Sequence, residues 1–184
     1  MKELASDEKM AVVMVYTRDM LMRGEVIAKE STRVSIWLRT DGVPNYIHIY
    51  KPQVISFAGS APRTFSLSEM FVPVAQVLAF HLAPPAQDSL DYDATETNRV
   101  MQPLDIMVGS FVVKGKLRIS AATEIATTLD VMRALWMSIY DADIINPYLA
   151  QFNIHVPFLL VNSTGVSFGV ENRQIDNLFS QNRP

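Results

Sequence analysis

Two stretches of the chain show the same order of apolar, polar and glycine positions. The step from a basic residue to glycine at Arg23-Gly24 returns at Lys114-Gly115, roughly 90 residues later, which is a spacing suited to one small folding unit. The later landmarks also match in order: Thr32 with Thr123, residues 46–50 with 136–140, residues 71–74 with 158–161, and Phe80 with Phe168. Since a chance match of apolar residues would not keep this order, the pattern predicts an internal duplication.

Each unit has the pattern of several short strands. Residues 12–26 form an apolar run that is broken by the polar residues 17–19, which is typical of a strand, a turn and a second strand. Residues 46–57 then begin with isoleucine and aromatic side chains in alternation, which is the period of a strand. We expect a turn within them at residues 51–53, and the matching turn of the second unit at residues 141–143.

Each predicted unit also contains a glycine within a strand, and the second unit has a segment with helical spacing. Gly24 and Gly115 fall inside strand-like patterns, where glycine usually marks a bulge or a close backbone approach. In the second unit Ile125 and Leu129 recur at helical spacing after Thr123, a residue type that often caps a helix N-terminus. The sequence therefore predicts a short helix there, while the matching segment of the first unit is richer in β-branched residues.

Frequent short strands with turn residues between them favour a small antiparallel barrel or a sandwich. We therefore expect a mainly β protein with short helices, in which two such units pack about a pseudo-twofold axis. The segment between them is polar and acidic and begins with two prolines, as a linker does. The predicted boundaries are a first β repeat at residues 11–83, a linker at 84–102, a second β repeat at 103–171 and a polar C-terminal tail at 172–184.

Composition narrows the classes of protein that fit. The chain has 184 residues, 49% of them hydrophobic and 19% charged, which is typical of a globular domain. The absence of cysteine excludes disulfides, thiol catalysis and thiolate metal sites. Residues 1–10 contain no apolar signal segment, and no apolar run approaches the ~18 residues of a membrane span, so we expect a cytoplasmic protein. The net charge of −3 disfavours a nucleic-acid partner, which requires a dense cationic surface.

The Arg23-Gly24 and Lys114-Gly115 steps, each followed by strands that end near Ile55 and Ile145, resemble the small Sm-like and SH3-like barrels and duplicated β-proteins of bacteria. The resemblance extends over both repeats and rests on residue types at matching places. It implies a small β-barrel in each repeat. Sm proteins contact RNA through a loop with acidic residues and asparagine, and since this sequence has no such loop, the resemblance assigns no functional residue.

The residues that most often carry catalysis or bind metals show no recognised spacing. His48, His81 and His155 have no partner two or four residues away, as a metal site would usually require, and we expect all three to be partly exposed. Residues 91–96 lack the glycine and the bidentate glutamate of a calcium loop, which indicates a solvated linker. The sequence also contains no nucleophile elbow and no phosphate-binding glycine run. We therefore predict no catalytic residue, no cofactor, no metal site and no enzyme.

Aromatic side chains provide the remaining candidate site. If Ile47 and Ile49 face the core, the period of a strand places their neighbours on the opposite face, and the second repeat has aromatic residues at the matching positions. Exposed aromatic patches mark interaction sites, although the same face could instead be buried between the repeats. We expect a non-enzymatic protein-interaction or scaffold module that binds a protein partner or itself. The candidate interaction surface consists of Tyr46, His48, Tyr50, Trp136 and Tyr140.

Two alternative functions remain open at this point. A nucleic-acid or nucleotide-binding barrel would use the cationic residues of the first repeat, namely Arg18, Arg23, Lys29, Arg33 and Arg39. A hydrolase or isomerase would need Asp141, Asp143 and a histidine to meet in one pocket, since general acid–base catalysis requires groups within reach of the same substrate.

Overall fold

The structure is a computed structural model that describes residues 4–40 and 42–170. Within these residues one α-helix, α1 (Ile125–Val131), accompanies three short 3-10 helices, Val34–Arg39, Val74–Gln76 and Ala150–Phe152, the first of which is called the first 3-10 helix below. No helix of this part of the chain is long and apolar enough to cross a membrane. The predicted tail, residues 172–184, lies outside the described residues. The strands are β1 (Glu8–Tyr16), β2 (Met20–Lys29), β3 (Tyr46–Ser56), β4 (Arg63–Ser66), β5 (Glu69–Pro73), β6 (Ala79–Leu82), β7 (Arg99–Val108), β8 (Phe111–Ser120), β9 (Trp136–Ile145), β10 (Ile154–Asn162) and β11 (Ser167–Gly169).

These strands form a single antiparallel sheet of 11 strands. Its order is β11-β7-β8-β9-β10-β6-β1-β2-β3-β4, and β5 also pairs with β3. The prediction of a mainly β, antiparallel fold is confirmed, and both halves of the chain share the sheet. Within the described residues the sheet is not closed, so that β11 lies at one end while β4 and β5 lie at the other. β7 begins at Arg99, inside the segment predicted as a linker.

Two glycines produce similar irregularities in the two halves. β2 shifts its register against β3 at Gly24, and β8 shifts its register against β9 at Gly115. A Cβ atom at Gly24 would overlap the side chain of Ile49, and one at Gly115 would overlap the side chain of Ile139. Both glycines therefore lie at a bulge where a neighbouring chain segment comes close, which confirms the prediction made from their strand-like surroundings.

β3 and β9 run straight through the segments that were predicted as turns. Lys51 and Asp141 adopt positive φ angles of 47° and 51°, and both strands continue beyond these residues. The prediction of turns at residues 51–53 and 141–143 is therefore wrong. A single left-handed residue absorbs the irregularity of the bulge, after which the hydrogen-bonded ladder resumes.

The predicted short helix of the second half is present as α1, but its N-cap residue is Glu124 rather than Thr123. The Thr123 hydroxyl donates instead to the backbone oxygen of Ser120, at 3.1 Å, so it stabilises the preceding turn. The matching segment of the first half forms the first 3-10 helix, which buries Val34 and Leu38.

The strand registers define which positions correspond between the halves. In β3–β5, Phe71 lies opposite His48, and in β9–β10, Leu160 lies opposite Ser138. Phe71 thus corresponds by register to Leu160, whereas the order of landmarks in the sequence pairs it with Phe158. The segments that lead into β5 and β10 differ in length, and a pattern of apolar residues cannot show where the difference is taken up.

The short closing strands also occupy similar places. Phe80 of β6 lies opposite Val15 of β1, and Phe168 of β11 lies opposite Ile106 of β7. Each closing strand therefore adds to the outer edge of the hairpin that begins its half of the chain, β1–β2 or β7–β8.

Apolar side chains form two clusters, one centred on the strands of each half. β9 and β10 contribute to both clusters because successive side chains of a strand point to opposite faces. Trp136 and Leu160 reach the first cluster, while Met137 and Val161 reach the second. The second half therefore supplies one face of its sheet to the core of the first half.

The halves join where β6 pairs with β10. Phe80 lies opposite Leu160 in this pairing. The backbone N–H of Asn162 extends the contact by donating to the oxygen of Leu78 at 2.8 Å. The strands that occupy the places of β10 and β6 in the opposite halves are β5 and β11, and no pairing between these two is present in the described part of the chain.

Candidate functional site

One face of the β9–β10 pair is buried by the first half of the chain. Trp136 is 4% exposed and Leu160 is 0% exposed, and both share a cluster with Val34 and Leu38 of the first 3-10 helix. That helix lies against β10 and β6. We call this surface the covered face, and its residues are Trp136, Ser138, Tyr140, Phe158 and Leu160.

This burial changes the predicted interaction surface. Trp136 and Tyr140 were expected at an exposed surface or between the repeats, and both are buried. They lie in the cluster of the first half because β6 joins the edge of β10 to that half's strands and the first 3-10 helix packs against β10 and β6. These two side chains are consequently excluded from any exposed surface of the chain.

A polar network crosses the junction beside the covered face. Arg39 Nη2 lies 2.8 Å from Asp91 Oδ2, and Arg39 Nη1 donates to Ser138 Oγ at 2.6 Å. Ser138 Oγ in turn donates to Asp91 Oδ2 at 2.8 Å, and the Tyr140 hydroxyl donates to Asp91 Oδ1 at 2.6 Å. The network therefore connects the first 3-10 helix, the segment between the halves, and β9.

The electrostatics of this network favour an ionised carboxylate. The Asp91 side chain is nearly buried, which opposes ionisation, but hydrogen bonds from Tyr140 and Ser138 and the charge of Arg39 together hold its pKa below the usual value. Burial and the hydrogen bond to Asp91 raise the pKa of Tyr140. Both carboxylate oxygens are occupied, so the network is arranged to hold the halves together and offers no free general base.

Sequence reasoning missed this network. Asp91 was assigned to a solvated linker, and neither Arg39 nor Ser138 carried a signal for it. The neighbouring aromatic residue Tyr92 is a signal that could have been used, since its ring packs edge-to-face on Tyr140 with centroids 4.9 Å apart. An aromatic residue inside an acidic linker indicates that the segment lies against the protein.

The equivalent face of the β3–β5 pair is exposed. The His48 ring stacks on Phe71 with centroids 4.2 Å apart and lies 4.0 Å from Tyr50, while His48 Nε2 is 2.8 Å from Glu69 Oε2. Tyr46 is 54% exposed and Phe71 is 58% exposed. We call this surface the open face, and its residues are Tyr46, His48, Tyr50, Glu69 and Phe71.

The open face contains three of the five residues of the predicted interaction surface, Tyr46, His48 and Tyr50. Ile47 and Ile49 point to the core, as the strand period predicted. Phe71 was not predicted as part of the surface, because its position opposite His48 depends on how β5 pairs with β3. By register, residues 46, 48, 50 and 71 of the open face correspond to residues 136, 138, 140 and 160 of the covered face.

Asp141, Asp143 and His155 meet at the surface of the second half. His155 Nδ1 lies 2.9 Å from Asp143 Oδ1 and His155 Nε2 lies 3.4 Å from Asp141 Oδ1. All three side chains are exposed, and a hydrogen bond from Lys116 lowers the pKa of Asp141. Carboxylates that are solvated and paired with a cation in this way are typical of surface ion pairs.

His81 is fully buried, which corrects the expectation of an exposed histidine. Its Nδ1–H donates to the backbone oxygen of Leu82 at 2.7 Å, so that Nε2 accepts a hydrogen bond from the Tyr16 hydroxyl at 3.0 Å. Burial lowers the pKa of His81 to about 4. The ring is therefore a neutral, hydrogen-bonded part of the core on β6, the strand that joins the halves. Across residues 4–40 and 42–170, no group of three or more His, Cys, Asp or Glu side chains could hold a metal ion.

Comparison with known proteins assigns no family. No protein-family model, no curated protein and no solved structure matches this chain. The functional interpretation therefore depends on the geometry described above.

Proposed function

We infer that this chain is a non-enzymatic assembly module, built from two copies of one β unit, that binds a protein through its open face. The observation that carries this proposal is a group of four aromatic rings on β3 and β5, of which Tyr46 and Phe71 are exposed while His48 and Tyr50 are half-buried. Aromatic side chains are enriched at the centres of protein interfaces because they bury a large area at a small cost in side-chain entropy.

The duplication within this proposal is supported by matching irregularities rather than by apolar pattern alone. Each half has a bulge at a glycine, and opposite it a residue with positive φ, Lys51 or Asp141. A short helix follows the hairpin in each half, and a short closing strand then pairs with the same edge. Bulges are specific local features, so their recurrence at the same place favours a common origin over a chance likeness of two β structures.

The open face has the properties of an interface rather than of an ordinary surface. His48 lies between Phe71 and Tyr50, and Glu69 holds its imidazole, so the rings are ordered before any partner binds. A preformed face loses less entropy on binding. β5 also has an edge that no described strand pairs with, which another chain could extend.

The alternative functions find less support in the geometry. Of the cations considered for nucleic-acid binding, Lys29 and Arg39 form ion pairs with Asp7 and Asp91. The acid–histidine group considered for a hydrolase is exposed to water, where a general base gains little from its surroundings. An assembly module needs neither feature.

The proposal can be tested by placing a photoactivatable benzophenone amino acid at position 46 in the native cells. We expect this variant to form covalent adducts with protein, because Tyr46 lies within the open face. The same group at Ser89, an exposed position in the segment between the halves, is the control and should form none of these adducts. Adding Phe71→Asp should abolish the adducts at position 46. Identical adduct patterns at positions 46 and 89, or none at position 46, would contradict the proposed function.

A further inference from the structure

The elements that pack against the covered face indicate what could pack against the open face. Two elements of the first half adjoin it: β6 extends the sheet by pairing with the edge of β10, and the first 3-10 helix packs beside that pair. Arg39 at the end of the helix donates to Ser138 in the middle of the face. The covered face is therefore packed by the short helix of the first half and by Asp91 and Tyr92 of the segment between the halves, while β6 adjoins it at the edge of β10.

The second half carries counterparts of the short helix and of the closing strand in the same chain order, α1 and β11. β11 closes the second half as β6 closes the first, yet within the described residues it pairs with β7 alone. α1 takes the place of the first 3-10 helix. Tyr16, which precedes the first hairpin turn, is 1% exposed because the second half covers it, whereas Met107 at the same place in β7 is 43% exposed. Among the described residues, one face and one complementary pair of elements are thus without a strand or helix packed on them as at the existing junction.

We propose that α1 of a second copy of this chain covers the open face while its β11 pairs with the edge of β5 that is free within the described residues, in a head-to-tail arrangement that repeats the contact between the two halves. This inference rests on the proposed function and names its partner. A contact between two different patches is heterologous, so it continues from chain to chain until it closes as a ring or extends as a filament. The described sheet is open between β5 and β11, which leaves both patches accessible to neighbouring copies.

The strand registers specify the contacts in this arrangement. Phe80 lies opposite Leu160 at the existing junction, so its counterpart Phe168 would lie opposite Phe71 of the next chain. Phe71 would then enter the second cluster of its neighbour, as Leu160 enters the first cluster of its own chain.

The helix contact also has a counterpart of suitable chemistry. Asp130 is the sixth residue of α1 as Arg39 is the sixth of the first 3-10 helix, and His48 matches Ser138 by strand register. A carboxylate would therefore face an imidazole, and both are exposed or half-exposed in the single chain. This pair can form a hydrogen bond whose donor is the imidazole N–H.

One difference indicates that the contact between chains is the weaker of the two. Asn162 donates its N–H to Leu78 and so extends the β6–β10 pairing. Pro73 stands opposite Tyr46 as Asn162 stands opposite Trp136, and proline has no N–H to donate. We therefore expect reversible association that depends on protein concentration.

The chain has no cysteine, so an engineered pair reports a single contact. Phe71→Cys and Phe168→Cys are made in separate chains, which are mixed under mild oxidation. Residues opposite each other in an antiparallel pair lie close enough for a disulfide. We expect a disulfide-linked dimer in the mixture and not in either variant alone. The chain with both substitutions should form a ladder of linked multimers.

Three outcomes would overturn the proposal: a disulfide within single chains of the double variant, a dimer of the Phe71→Cys chain with itself, or no covalent link in the mixture for this pair and for a second pair. Because Phe168 packs partly into a cluster, a second pair avoids the core. His48→Cys and Asp130→Cys in separate chains should be joined by a short bifunctional maleimide in the mixture, and failure of this pair too would exclude the contact. Adducts from position 46 with a different protein, together with no self-contact, would contradict this inference while leaving the proposed function intact.

Discussion

The covered face of β9–β10 and the open face of β3–β5 occupy the same place in the two halves and are both rich in aromatic residues. The first is buried beneath the first 3-10 helix and the segment of Asp91 and Tyr92, and the second faces solvent. Trp136 and Tyr46 stand at matching positions but differ in burial. The comparison shows that the burial of these side chains is determined by the element that packs on them and not by the strand that carries them.

The largest expected difference in stability is between truncations of matching side chains on the two faces. Leu160→Ala removes a buried side chain from the covered face and should lower the free energy of unfolding by about 2–5 kcal/mol. Phe71→Ala, its match on the open face, should change it by roughly 0.5 kcal/mol or less at a low protein concentration. Denaturant unfolding of both variants measures these values. Similar losses for the two variants would mean that the faces do not differ in their environment.

The buried histidine of β6, the strand that joins the halves, should make stability depend on pH. The pKa of His81 is about 4 in the folded chain, and about 6.5 when unfolded, so between these values the unfolded chain binds the extra proton. Stability should be complete above pH 6.5 and fall by about 3 kcal/mol as the pH decreases to 4. His81→Gln should remove most of this decrease in a series of unfolding curves. The surface variant His155→Gln is the control, and an unchanged slope in His81→Gln would contradict the assignment.

The network of Asp91 at the junction should also make stability depend on pH, but in a lower range than His81 does. The pKa of Asp91 is lowered in the folded chain, so its contribution to stability is present above the unfolded value of about 4 and is lost as the pH falls below it. Asp91→Asn leaves Arg39 without its carboxylate and should cost about 1–3 kcal/mol at neutral pH. Unfolding of this variant and of Asp93→Asn, an exposed neighbour, measures the difference. Equal stabilities of the two variants would show that the network does not hold the halves together.

The smallest expected difference in stability is between substitutions at the two bulges. At Gly24 a Cβ would overlap Ile49 and lie 3.0 Å from the backbone oxygen of Tyr50, whereas at Gly115 the corresponding oxygen is 3.4 Å away. Backbone cannot move aside as a side chain can, so Gly24→Ala should destabilise by about 1–3 kcal/mol and Gly115→Ala by less. Thermal unfolding of the two variants tests this order, and the reverse order would indicate that the bulges relax differently.

The local features of the fold could be predicted from the sequence, whereas those that depend on contacts between distant residues could not. The bulges at Gly24 and Gly115 were predicted because a glycine inside a strand pattern usually marks a bulge or a close approach of backbone. The turns predicted at residues 51–53 and 141–143 were wrong, since a polar interruption opposite a bulge has the same pattern as a turn.

The candidate site was predicted only in part, because some of its features are local and others depend on distant contacts. The period of a strand placed Tyr46, His48 and Tyr50 on one face, because that relation is local. The burial of Trp136 depends on the pairing of β6 with β10, between residues far apart in the chain. No pattern within β9 could reveal it, and the role of Asp91 was missed on the same ground.

The central claim, that a second copy supplies the open face with the cover that the described residues give only to its counterpart, is tested most directly by sedimentation velocity across a range of protein concentrations. The account predicts that the wild-type chain changes from monomer to larger species as the concentration rises, while Phe71→Asp remains monomeric. Ser89→Asp, which adds the same charge away from the face, should associate like the wild type. Association that persists in Phe71→Asp, or a wild-type chain that stays monomeric at every concentration, would contradict the claim that a second copy supplies the missing cover.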